Sequence, residues 1–154
     1  MTTSCTLICS KLHFSKALEI IRREVPGVVD VDGTADAWRK VRVAGKRTTL
    51  VFTSLTRVRP GDEFSSLVLS MHNFVRRVKT SAEDNKRQLL RRISHAAWFI
   101  GVVAEPDLSD DEGHLGCLGE LCHELDAVIF NGDAFLDRQG DMILNSAGDH
   151  EVDL

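Results

Sequence analysis

His114, Cys117, Cys122 and His123 fall within ten residues of one another. Imidazole and thiolate at that density point to zinc, which takes nitrogen and sulfur donors in a tetrahedron. The apolar residues around them recur at spacings of 3 and 4, which predicts a helix from about Glu112 to Leu125. A helix turns about 100° per residue, so His114 and His123 point about 180° apart and Cys117 and Cys122 about 140° apart. One helix cannot aim all four at one ion. Cys5, Cys9 or His13 would complete a site only if the N-terminal segment packed there. The spacing therefore predicts no metal site, and Cys122, beside Leu118 and Leu125, is expected to pack as a small hydrophobe. With no export signal in the sequence, reduced, partly buried thiols and an intracellular, cytoplasmic setting are expected.

Glu105, Asp107, Asp110, Asp111 and Glu112 crowd one segment. Hard cations take such oxygens, but the alternating acid spacing of a calcium loop is missing. A solvated loop whose last acids cap the next helix is expected. For acyl or phosphoryl chemistry the sequence offers little. It has no Gly-x-Ser-x-Gly elbow, no Walker-type loop and no Gly-x-Gly-x-x-Gly. Gly45-Lys46-Arg47-Thr48 has a phosphate-loop flavour but belongs to a hairpin turn. His95 and Glu105 flank an apolar run, and a hydrolase-like site would need them to meet at a cleft. No motif asks for a cofactor.

The remaining chemistry is charge. Of the 19 Lys and Arg, 18 lie in residues 1–92 against nine acids, whereas residues 93–154 hold Arg138 alone against 14 acids. A basic cluster, Arg76, Arg77, Lys79, Lys86, Arg87, Arg91 and Arg92, gathers where two predicted helices meet. Arg76, Arg77, Lys79, Arg87, Arg91 and Arg92 are the candidate binding residues, for nucleic acid or for an acidic partner. Aromatic residues do not interleave with them, so stacking on bases is not offered.

These residues must be held by a fold. A chain of 154 residues suggests one domain able to bury a core without staples. No apolar run approaches the ~20 residues of a membrane span. Strands are expected near residues 6–8, 28–31, 38–44, 47–54, 97–103 and 127–130, with a hairpin over 134–137 and 142–144. Helices are expected over 11–24, 62–79, 81–94 and 112–125, the second opened by Asp62 as N-cap and the third by a Ser81-to-Asp84 capping box. Glu83 and Arg87 are expected to pair on its outer face, and the tail from about 146 is expected to fray. The order is not a steady βαβ alternation. It predicts an α+β single domain with a mixed or mainly antiparallel sheet and about four helices on one face. The expected function is a non-enzymatic interaction module that uses charge complementarity toward a protein partner or toward itself. Nucleic-acid binding through residues 76–92 is the alternative, and an enzyme near His95 and Glu105 the third.

Overall fold

The structure is a computed structural model that describes residues 2–154. Its eight strands are β1 (Thr3–Cys9), β2 (Val28–Thr34), β3 (Ala37–Ala44), β4 (Thr49–Leu55), β5 (Trp98–Glu105), β6 (Ala127–Phe130), β7 (Ala134–Leu136) and β8 (Met142–Asn145). Its four helices are α1 (Phe14–Glu24), α2 (Glu63–Arg77), α3 (Glu83–Ser94) and α4 (His114–Leu125). All strands join one antiparallel sheet in the order β2-β3-β4-β5-β1-β6-β7-β8. The α+β class, the antiparallel sheet and the four packed helices agree with the sequence.

Strand alternation divides the core in two, because successive side chains point to opposite faces. Leu7 and Cys9 of β1, with Trp98, Ile100 and Val102 of β5, face α1 and α4. Ile8, Phe99 and Val128 face the other way, toward α2 and α3. The helices thus divide two and two between the faces, where the sequence suggested a single helical layer. The reason is β5: a run apolar on consecutive positions has to be buried on both sides.

The first core is organised by Phe14, Trp38 and Trp98, whose ring centroids lie 4.5–5.6 Å apart. Trp38 Nε1 donates to Phe14 O at 2.9 Å and Trp98 Nε1 donates to Lys11 O at 2.7 Å. Both indoles are buried and both polar tips are satisfied by the segment that opens α1. That segment explains why α1 begins at Phe14 rather than Lys11: the Lys11 carbonyl is committed to Trp98, and His13 Nδ1 caps the helix by accepting from Lys16 N.

Other local expectations need correction. Asp62 caps α2 as read, accepting from Ser65 N at 2.9 Å. No capping box opens α3. Its N-cap is Ala82, which makes no side-chain cap, and Thr80 Oγ1 accepts from Ala82 N instead. Arg87 pairs with Asp84 at 2.8 Å rather than with Glu83. Strand β2 runs on through Asp32–Gly33, where a bulge absorbs the turn sequence. The tail is not frayed in the structure. Buried Asn85 donates to Ile143 O and Val152 O, both at 2.9 Å, and accepts from Leu154 N at 3.0 Å. Glu151 N and Val152 N donate to Met142 O, which covers the β8 edge.

Candidate functional site

The cations of the 76–92 cluster differ in what they touch. Lys86 Nζ donates to Val78 O at 2.7 Å and so closes the end of α2. Arg87 is taken by Asp84, and Arg92 bonds both the carboxylate and the carbonyl of Asp126 at 3.2 Å. Arg76, Arg77, Lys79 and Arg91 are exposed, and none has an ion pair among the described residues.

His95 and Glu105 do not meet. His95 is exposed at the end of α3 and Glu105 ends β5. The strand between them, at about 3.3 Å per residue, keeps them more than about 20 Å apart. His114, Cys117 and Cys122 are buried, while His123 lies on the surface with its Nδ1 accepting from Arg138. Among the described residues no three metal-ligating side chains converge. The four cysteines are free. Burial raises the Cys5 thiol to about 11 and the Cys117 and Cys122 thiols to about 12, so none is an activated nucleophile.

The acidic segment holds a feature the sequence did not disclose. Glu112 is not a solvated acid. It is buried with Thr48 and His114, tying the β3–β4 turn to the start of α4. Thr48 Oγ1 donates to Glu112 Oε2 at 2.7 Å, and Arg47 N donates to Oε1 at 3.3 Å. His114 Nδ1 accepts from Ser109 N at 2.9 Å, so its proton sits on Nε2, which donates to Thr48 Oγ1 at 3.1 Å. The proton order runs from His114 to Thr48 to Glu112. A hydroxyl activated by histidine needs the opposite order, with the imidazole accepting. The group is a structural staple. The phosphate-like flavour of residues 45–48 has a literal counterpart here, since the turn's backbone N–H binds an internal carboxylate. Gly45 permits it: a Cβ there would sit 2.4 Å from Glu112 Oε1.

Two open features are left. The first is half a sheet face. On the α2–α3 side, α2 reaches β5 through Phe64 on Phe99 and Leu67 beside Gly101; beyond it lie strands β2 to β4 and the Val103 end of β5, whose residues register lines up in rows. One row is Asp30, Arg42, Val51, Val103 and Ser4; the next is Asp32, Lys40, Thr53, Gly101 and Thr6. Val103 is 40% exposed and Val28, on the same face, 70%. Lys40 and Arg42 have no ion pair among the described residues, whereas Asp32 takes Arg39 at 3.2 Å. An adjoining groove of about 320 Å³ is lined by Thr6, Leu67, Gly101, Val103 and Phe130 among others.

The second is a cavity of about 260 Å³ on the opposite face, between the first turns of α4, the start of β1 and the β7–β8 turn. Its walls are Leu108, Leu115, Leu118, Ile129 and Leu136, with Thr3, Ser4, Cys5, Asn131, Arg138 and Gln139 also lining it. Gly119 holds the turn close to the helix, since a Cβ there would lie 3.4 Å from Arg138 O.

Comparison with protein-family models, with curated proteins and with solved structures finds no match to this chain in any of the three.

Proposed function

We propose that the protein is an interaction module that docks an acidic amphipathic helix of a partner protein on the uncovered half of its sheet. One observation carries the reading: Val51 and Val103, with Gly101 at the edge of α2, lie beside Lys40 and Arg42, which have no ion pair among the described residues, on the part of the sheet face beyond α2. Columns β3 and β5 are two strand spacings apart, about 10 Å, which matches the width of one helix. On its other face the same sheet is already covered by helices, and the bare half offers an equivalent seat. The apolar stripe of a bound helix would lie on β4 and β5, and its acids over β3. Asp30 and Asp32 on the outer strand would repel a register shifted toward the edge.

The test uses a model peptide with apolar residues at i, i+3, i+4 and i+7 and glutamates along one flank, titrated into isotope-labelled protein. Expected are saturable amide shifts at Lys40, Arg42, Val51, Gly101 and Val103. Binding should weaken at least tenfold in Arg42→Glu and in Val103→Lys, and should fall with salt. Equal binding of a lysine-flanked peptide, or shifts confined to other surfaces, would sink the reading. Self-association through this face would appear as a concentration-dependent mass in sedimentation and would replace the partner by a second copy.

A second reading is favoured by the exposed, unpaired Arg76, Arg77, Lys79 and Arg91. These are the part of the basic cluster left available for nucleic acid. Salt-dependent retention on heparin or RNA that disappears in an Arg76→Glu, Arg77→Glu, Arg91→Glu variant would support it. Unchanged retention would dismiss it.

A further inference from the structure

We infer that the cavity beneath α4 is a binding site for a small amphipathic carboxylate, its apolar body held by leucines and its head by Arg138. The cavity is not a packing flaw. A flaw is closed and apolar all round, whereas this cavity is open and its lining includes exposed Asn131 and Arg138, and Thr3, whose hydroxyl donates to Asp107. Ligand sites combine a mainly apolar lining with a few convergent polar groups, and this lining has that composition.

The choice of an anion rests on charge. Arg138 is the one cation in residues 93–154, where 14 acids lie. Among the described residues it is also the one charged side chain in the cavity lining. It makes no ion pair among the described residues despite those acids. Its polar partner among the described residues is His123, which takes one N–H and leaves the guanidinium with donors to spare. A guanidinium with two free N–H groups in its plane is matched by a carboxylate. The choice of a small body rests on volume. At about 260 Å³ the cavity lies at the small end of ligand pockets, which run from about 300 to 1,000 Å³. That suits a short aliphatic or a simple aromatic acid. The polar groups near the leucines are hydroxyl and amide, which leave the ligand's apolar body unopposed. The site lies on the opposite sheet face from the bare half, so it stands or falls independently of the partner-docking reading.

The probe is sodium hexanoate, with hexan-1-ol and sodium acetate as controls, followed by amide shifts of labelled protein. Hexanoate should give saturable shifts centred on Cys5, Leu115, Gly119 and Arg138, and should bind at least tenfold more tightly than either control. Arg138→Gln should remove that preference while leaving the weak binding of hexanol unchanged. Leu115→Glu, at a position 50% exposed and therefore tolerant of substitution, should weaken hexanoate at least tenfold by setting a like charge at the rim. Both variants should keep the wild-type spectrum away from the cavity. Absence of saturable shifts there overturns the inference. So does hexanol binding as tightly as hexanoate, or Arg138→Gln binding hexanoate as wild type does.

Discussion

His114 is 1% exposed, and its ring is held neutral by its surroundings. Burial lowers its proton affinity, and the nearby Glu112 carboxylate only partly opposes that. Between its folded value and about 6.5, the unfolded chain therefore binds more protons than the folded one. Stability should fall as pH falls through that window. Glu112 is held below the usual carboxylate range, first by the Thr48 hydroxyl, so a second loss should follow as pH drops below about 4.5. Denaturant midpoints measured from about pH 7.5 down to about 2.5 would show both steps. Thr48→Val should remove the acceptor of the His114 Nε2–H, at a cost of about 1–3 kcal/mol. If it is neutral at pH 7.5, the staple is not bonded as described. At the same scale, the raised thiols predict slow alkylation of the native protein. Cys5, half-buried in the cavity wall, should react first, and Cys9, Cys117 and Cys122 only on unfolding. The thiols' burial was legible in sequence, but the Thr48–Glu112–His114 staple was not. Thr48 and Glu112 are 64 residues apart, and nothing local marks either as the other's partner.

At the scale of elements the sequence was more informative, and where it misled the cause can be named. Asp62 announced α2 because its cap is local, made to Ser65 N. The apolar stripe of Phe64, Met71 and Val75 is buried as its spacing requires. The Ser81-to-Asp84 box failed because Thr80 reached the first free N–H, and because its own hydroxyl is anchored on Gly148 O at 2.6 Å. That bond comes from the tail, a long-range contact no local pattern encodes. Asn85 is the other anchor. From α3, its amide satisfies three backbone groups, Ile143 O in β8 and Val152 O and Leu154 N in the tail. Asn85→Ala should cost about 1–3 kcal/mol, since it leaves buried groups without partners. It should also raise hydrogen exchange through residues 146–154 while sparing β1. Uniform exchange across the chain would show instead that the tail is not a separate unit.

For the molecule as a whole, the charge split in sequence becomes a partial split in space. Strands β2, β3 and β4 of the basic part form one end of the sheet, and β6, β7 and β8 of the acidic part the other. The two central strands trade places, β5 pairing with β4 and β1 with β6. Ion pairs that bridge the two parts are few among the described residues: Arg92–Asp126 and Arg23–Glu120. The charges therefore do not cancel by pairing, which is why a cation column and a lone arginine each remain available for a ligand. The sequence displayed the surplus but not its layout, because strand order is set by pairings far apart in the chain. The β1–β5 ladder, with Thr3 opposite Ala104 and Cys9 opposite Trp98, sits at the middle of the sheet. Its amides should exchange only through global unfolding, at rates that track total stability. Exchange there by a lower-energy opening would mean that the two ends of the sheet unfold apart.

That ladder also sets a timetable for a chain being made on a ribosome. Strand β1 emerges almost ninety residues before the strand it must pair with. At about 5–20 residues per second, the delay is roughly 5–20 s. Through that interval Leu7-Ile8-Cys9 has neither of its neighbours, and α1 has no finished sheet to lie on. The newborn β2–β3–β4 meander must likewise wait for β5 before it has a neighbour on its inner side. The nascent chain is thus an open strand looking for an edge, and its yield in a cell should depend on what shields that strand until residue 98 appears.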